Sequence, residues 1–182
     1  MLQITIPASE YWDEAKEEFV TSGKEQVLQL EHSLVSVSKW EAKWQKPFLT
    51  KDDKTLEETL DYIRCMTITQ NVKPEVYKRL TRENIAEINA YIDSPMSATT
   101  VPHSPSDKPA KKEIITSELI YYWMLAYNIP FECQKWHLSR LLKLIDVCNF
   151  KNAPPKKMSQ QEIWKRNAAL NAARKAKLKT KG

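Results

Sequence analysis

Residues 115–130 read ITSELIYYWMLAYNIP, the richest hydrophobic stretch of this 182-residue chain. Thr116 stands where the N-cap of a helix is expected, and aromatic or aliphatic side chains follow on nearly all sides of that helix. Helices that are hydrophobic all round are typical of buried positions. The stretch therefore predicts a buried helix at the centre of the core, with Trp123 inside it.

The sequence after Pro130 predicts a second helix that packs on the first. In FECQKWHLSRLLKLIDVCN, apolar residues recur at three- and four-residue intervals, with polar residues opposite. The apolar stripe consists of Leu138, Leu141, Leu142, Ile145 and Cys148.

Three further helices are predicted upstream of the hydrophobic stretch. Thr55 and Glu58 have the spacing of a capping box, so a helix is expected to begin there. Pro74 suits the first turn of a short helix, and Thr81 is placed to cap another through Ile92. Proline, serine and threonine then dominate residues 94–112, which predicts a flexible exposed loop.

The N-terminal region predicts a minor β element. Residues 2–6 alternate apolar and polar side chains, and residues 26–30 predict a second short strand. Between them, Ser9 is placed to cap a short helix through Phe19. Residues 34–44 also suit a helix, although the β-branched and serine content leaves residues 34–37 ambiguous between helix and strand.

The predicted fold class is mainly α. Residues 1–153 are expected to form a compact helical domain with the minor β element, and residues 154–182 a basic helical arm. The double proline Pro154-Pro155 serves as the spacer, and Ser159 with Glu162 has the capping-box spacing that starts the helix of the arm, through about Lys177.

Composition excludes several classes of function. Only two glycines occur, Gly23 and Gly182, so the glycine-rich loops that cradle phosphates are absent and no cofactor is expected. No apolar run is long enough to span a membrane, and the first residues lack the pattern of a secretory signal. Three cysteines without a CxxC pair fit buried thiols in a reducing compartment. We expect a soluble, intracellular protein without membrane contacts.

The sequence offers little for catalysis or metal binding. Cys133 and His137 lie four residues apart on a predicted helix, close enough to bind one metal ion, but a closed zinc site needs four ligands. Cys148 cannot join them, because it lies about 16 Å from His137 along the same predicted helix. Ser36 and Lys39 match the Ser-x-x-Lys pattern of penicillin-recognising enzymes, without the companion motifs. We therefore expect no metal site and no enzymatic activity.

Charge is divided unequally along the chain. Residues 156–182 hold nine Lys and Arg against the single acid Glu162, a net of +8, whereas the first 155 residues have a net of −3. Such basic segments commonly meet nucleic acid, an anionic surface or an acidic patch on a partner protein. The alternative is a solvated helix that keeps the protein soluble.

Tryptophans mark the candidate binding residues. Trp40 and Trp44, four apart in a mostly polar segment, form either an aromatic ridge for a partner or part of the core. Trp164 with Ile163 makes an apolar pair within the charged arm, which suits docking of a helix that folds on its partner. The predicted partner-binding set is Trp40, Trp44, Ile163, Trp164, Lys165, Arg166, Arg174, Lys175 and Lys177.

Four segments resemble a family of small proteins from tailed bacteriophages. They read QLEHSLVSVSKWEAKWQKPFL, DYIRCMT, ITSELIYYWMLAYNIPFECQKWHLSRLL and NAPPKKMSQQEIWKRNAALNAARK, and together they span most of the chain. Members of that family resemble tail assembly chaperones, which keep the long coiled-coil tape-measure protein soluble while the tail tube forms around it. The family has no catalytic signature.

The resemblance implies a non-enzymatic role in phage tail assembly, in the host cytoplasm, with the tape-measure protein as a partner. An oligomer is compatible with this role. The alternative is a structural or packaging component of the virion, whose basic arm contacts DNA or neighbouring subunits. An arm that neutralised about eight phosphates would lose several orders of magnitude in affinity between 50 and 200 mM salt.

Overall fold

The computed structural model describes residues 1–14, 17–22, 24–101, 114–153 and 160–178. The chain divides into two compact units, Met1–Phe150 and Lys151–Gly182. The first unit begins with the strands β1 (Leu2–Ile6), β2 (Ser9–Asp13), β3 (Glu18–Ser22) and β4 (Gln26–Leu30). The helices are α1 (Leu34–Trp44), α2 (Leu56–Met66), α3 (Pro74–Tyr77), α4 (Arg82–Ile92), α5 (Ser117–Ala126), α6 (Leu138–Asn152) and α7 (Gln160–Leu178), with a 3₁₀ helix at Phe131–Lys135. The mainly α fold class with a minor N-terminal β element is confirmed.

The N-terminal strands are antiparallel pairs. β1 pairs with β4, so that Leu2 faces Leu30, and β2 pairs with β3, so that Ser9 faces Ser22. The helix predicted from Ser9 to Phe19 was therefore wrong. Residues 9–22 contain aromatic, valine and threonine residues that favour strands, and pairing with a facing strand overrides a local capping pattern.

The β1–β4 pair carries one face of the core. Ile4 and Ile6 from β1 are buried in the alternation that was predicted for residues 2–6, and the structure shows the same alternation in β4, where Leu28 and Leu30 are buried. The outer edge of β4 is occupied by the segment after α2, where the Ile68 N–H donates to the Gln29 carbonyl at 2.8 Å.

Side chains occupy the outer edge of β1. Asn84 Nδ2 donates to the Thr5 carbonyl at 3.2 Å, and the Arg79 guanidinium donates to the Pro7 carbonyl at 3.2 Å. The Arg79 guanidinium also donates to the Lys24 carbonyl at 3.4 Å. It therefore links the segment that follows β1 to the segment that precedes β4, just beyond the end of the β1–β4 pair.

Capping boxes start the helices that enclose the core. Thr55 and Glu58 cap α2 reciprocally, as predicted, and Thr81 caps α4 together with Asn84. Ser33 and Ser36 cap α1, and this resolves the ambiguity over residues 34–37 in favour of a helix. The largest fully buried side chains are Ile4, Ile6, Leu28, Leu30, Leu34, Trp40, Ile63, Met66, Ile88, Ile120, Met124 and Leu138.

Glu41 joins α1 to α5 from inside the fold. Its Oε1 accepts the Phe48 N–H at 2.7 Å, and its Oε2 accepts the Ser117 N–H at 2.8 Å. All three residues are buried, so the carboxylate supplies acceptors to two backbone groups that are shielded from water.

α5 is buried on one side only, which corrects the expectation of a helix surrounded by core. Ile120 and Met124 are fully buried, whereas Tyr122 and Leu125 are exposed and Trp123 is half-buried. α1 packs against the buried side. The stripe predicted for α6 is confirmed, with buried or half-buried positions at all five residues.

Other predictions fall partly outside the described residues. Residues 94–101 contain no helix or strand, and residues 102–112 of the predicted loop are not described. The Pro154-Pro155 spacer and the Ser159 cap also lie outside the described residues, whereas the helix expected through Lys177 is present as α7.

Candidate functional site

Trp40 belongs to the core and not to a binding surface. Its side chain is 1% exposed, and its indole Nε1 donates to the Glu58 carbonyl at 2.9 Å. The ring meets Phe48 edge-on, with 5.2 Å between the centroids. The assignment of Trp40 to a partner-binding ridge is therefore wrong, because the apolar face of α1 turns its ring inward.

Trp44 lies at the margin of the same packing and is half-buried. Its Nε1 donates to Asp61 Oδ2 at 3.0 Å, and Asp61 Oδ1 accepts from Lys43 Nζ at 2.5 Å. With Trp40 buried and Trp44 anchored to α2, the two tryptophans do not form an exposed ridge. The structure therefore agrees with the alternative in which these tryptophans pack within this chain.

The arm residues, by contrast, are accessible. α7 contains 19 residues, none of them buried. Trp164 is 73% exposed and Ile163 is 43% exposed, next to Lys165 and Arg166. The remaining predicted residues lie in the last turns of the helix and are Arg174, Lys175 and Lys177. The structure thus brings seven of the nine predicted residues onto one exposed helix.

A buried polar cluster lies inside the first unit, and sequence reasoning missed it. The His32 Nδ1 atom and the Tyr62 hydroxyl are hydrogen-bonded, and Ser36 Oγ lies 3.3 Å from the same hydroxyl. Ser36 Oγ donates to the Ser33 carbonyl at 2.7 Å, so its proton is already used. Ser36 is buried and Lys39 is exposed, so the two do not form a nucleophile and base.

His137 completes this cluster. Its ring lies 5.1 Å from the His32 ring, and its Nδ1 accepts the Ser139 N–H at 3.3 Å. Its Nε2 therefore bears the proton and donates to the Tyr91 carbonyl at 3.0 Å. Both ring nitrogens are occupied, so His137 and Cys133 cannot act as a pair of metal ligands. Among the described residues, no group of three His, Cys, Asp or Glu side chains could hold a metal ion.

Burial gives His32 a pH-dependent effect on stability. Desolvation, with a smaller contribution from the nearby His137, lowers the pKa of His32 to about 4 from its ordinary value of 6.5. The unfolded chain then binds a proton between pH 6.5 and 4 that the folded chain excludes, so acidification costs stability in that window.

We expect the free energy of unfolding to fall by about 2 kcal/mol between pH 7 and 5 because of this histidine. Urea unfolding of wild type and His32→Gln at both pH values measures the effect, since glutamine does not titrate. An equal loss between pH 7 and 5 in both proteins would contradict it.

Comparisons with known proteins add no relative. No protein-family model, curated protein or solved structure matches this chain. Within the described ranges, no helix combines the length and hydrophobicity needed to cross a bilayer. The exposure of its apolar pair makes α7 the candidate functional site, with Ile163 and Trp164 in its first turns and Lys165 and Arg166 directly after them.

Proposed function

We propose that this protein is a non-enzymatic assembly factor that binds a partner protein through α7. The resemblance to small proteins of tailed bacteriophages suggests that the process is tail assembly, that the protein acts in the host cytoplasm and that the partner is the tape-measure protein. The observation that carries the proposal is the exposure of Trp164 on a helix that buries none of its described residues.

An exposed tryptophan of this kind is suited to protein recognition. Tryptophan and arginine are enriched among residues that dominate binding energy, and Ile163, Trp164 and Arg166 stand together in the first two turns. A helix that is polar over most of its surface gains little from packing on its own chain. Docking on a partner would bury the apolar pair and set the neighbouring cations against acidic side chains.

Replacing the apolar pair tests the proposal. We expect Ile163→Ala with Trp164→Ala to weaken binding of the tape-measure protein by about 30-fold or more, as for residues that dominate an interface. Alanine is the best helix former, so α7 should persist in the variant. The measurement is co-purification from cells that express both proteins, followed by titration of the purified components.

The matched control removes charge and keeps the apolar pair. Lys175→Gln with Lys177→Gln is expected to reduce affinity only a few-fold, because exposed ion pairs contribute about 0.2–1 kcal/mol each. If the charge variant loses the partner while the apolar variant retains it, α7 does not bind in the proposed way.

The second candidate is a virion component whose arm lies on DNA, and the charge of α7 favours it. The helix carries five Lys and Arg against Glu162. If all five met phosphates, affinity for duplex DNA would fall about 500-fold between 50 and 200 mM salt, whereas a largely apolar contact would change far less. Mass spectrometry of purified particles adds a second criterion, since an assembly chaperone should be absent from the finished virion.

A further inference from the structure

The outer side of α5 is apolar and nothing in the described unit covers it. Tyr122 is 63% exposed and Leu125 is 60% exposed, and Ala126 is exposed beside them. Phe131, from the 3₁₀ helix that follows, is 51% exposed. We call these four residues the α5 face.

This composition departs from the other helices of the same unit. The exposed positions of α4 include Arg82, Glu83, Glu87 and Asn89. α5 instead carries a single charged residue, Glu118, which is exposed in its first turn. A helix whose outer side only met water would gain from the polar residues that α4 has.

Contacts within this chain order the region around the α5 face. The Tyr121 hydroxyl donates to Gln134 Oε1 at 2.9 Å, and the Tyr121 and Phe131 rings lie 6.5 Å apart. The Ile129 N–H donates to the Met124 carbonyl at 2.8 Å and closes the turn after α5. Binding would therefore cost little ordering of the face itself.

The shape of the face suits a helix. Tyr122 lies three residues before Leu125 and four before Ala126, so these side chains are neighbours on one face of α5, with the small alanine beside two large residues. The backbone of a helix interior offers no unpaired groups, which excludes recognition by strand addition. A ridge of a second helix can pack over the small side chain, against the two large ones.

The charged residues near the α5 face indicate which kind of partner helix it would bind. Glu118 stays ionised, because hydrogen bonds from its own backbone N–H and from Thr116 lower its pKa. Glu132 and Lys135, in the 3₁₀ helix, offset each other, and α5 itself holds no cation. Glu118, Glu132 and Lys135 sum to a net charge of −1, so two α5 faces from separate copies would bring like net charges together, which disfavours pairing of the face with itself.

We propose that the α5 face binds an amphipathic helix of a partner protein, one whose apolar stripe is flanked by lysine or arginine. The α5 face shares no residue with α7, so the proposal does not depend on the function proposed for the arm.

Two labelled peptides of about 18 residues, five turns of helix, test the proposal. Both carry the same leucine stripe at helical spacing, flanked by lysine in one and by glutamate in the other. Fluorescence anisotropy with the full chain should show that Tyr122→Ser with Leu125→Ser weakens binding of the lysine peptide about tenfold or more. Undiminished binding of the lysine peptide by a folded variant would overturn the proposal.

The matched control is Leu56→Ser with Ile68→Ser, which removes two exposed apolar side chains away from α5 and should leave the lysine peptide unaffected. Equal weakening by both double variants overturns the proposal, as does an equal loss of the glutamate peptide. Loss of self-association in the α5 variant, seen by sedimentation, would assign the face to a second copy instead.

A charge variant covers the case in which the double variant fails to fold. Glu118→Lys alters an exposed position, and we expect it to weaken the lysine peptide a few-fold and to strengthen the glutamate peptide. Unchanged binding of both peptides would overturn the proposal.

Discussion

Replacing Trp40 by alanine should lower the free energy of unfolding by about 3–5 kcal/mol, the usual cost of truncating a large buried aromatic side chain. Trp40 is almost completely inaccessible, it packs edge-on against Phe48, and its indole N–H satisfies the Glu58 carbonyl. The truncation leaves a cavity between α1 and α2 and removes one hydrogen bond. Native domains are stable by only about 5–15 kcal/mol, so the variant should be close to unfolding.

Trp164→Ala is the matched control for this experiment. The substitution is the same, but Trp164 is largely exposed on α7, so stability should change by no more than about 0.5 kcal/mol. Urea unfolding followed by far-ultraviolet circular dichroism compares the two variants. A Trp40→Ala protein within about 1 kcal/mol of wild type would mean that Trp40 is not part of the core.

The second large effect concerns Glu41. Glu41→Ala should destabilise the protein by about 3–6 kcal/mol, since hydrogen bonds to charged groups contribute about 1.5–3 kcal/mol each and two buried N–H groups lose their acceptor. These belong to Phe48 and Ser117, and the second is the first residue of α5. Hydrogen exchange of the Ser117 amide should accelerate in the variant.

Two further variants define the cause. Glu41→Gln keeps one acceptor oxygen and presents an NH₂ group to the other backbone donor, so it should recover only part of the loss. Glu87→Ala removes an exposed carboxylate from α4 and should be nearly neutral. If Glu41→Ala unfolds at the same urea concentration as Glu87→Ala, the carboxylate does not hold α1 to α5.

Local signals in the sequence predicted local structure well. The Thr55 and Glu58 pair starts α2 as expected, because a capping box is complete within four residues. The stripe of α6 was also predictable, because its apolar and polar residues alternate with the helical period. The hairpin of β2 and β3 was not, because its stability comes from a facing strand and the Ser9 pattern carries no information about that partner.

The exposed side of a helix could not be predicted where the sequence has no polar residues to mark it. α5 is apolar all round, so its period could not show that Tyr122 would be exposed while Ile120 is buried. Trp40 was ambiguous for the opposite reason, since it stands among charged residues although its ring is in the core. The polar cluster of His32 and Tyr62 depends on residues 30 positions apart, and only the fold brings them together.

The side chains along β1 limit how copies of this protein can associate. Asn84 and Arg79 satisfy carbonyl groups that an incoming strand would need, and the residue at the end of the row, Pro7, has no N–H to offer. The far side of β4 is already filled by the chain after α2. These contacts hinder the addition of a strand from a second molecule at the occupied positions of the β1–β4 sheet, so they protect part of an edge that could otherwise template association between copies.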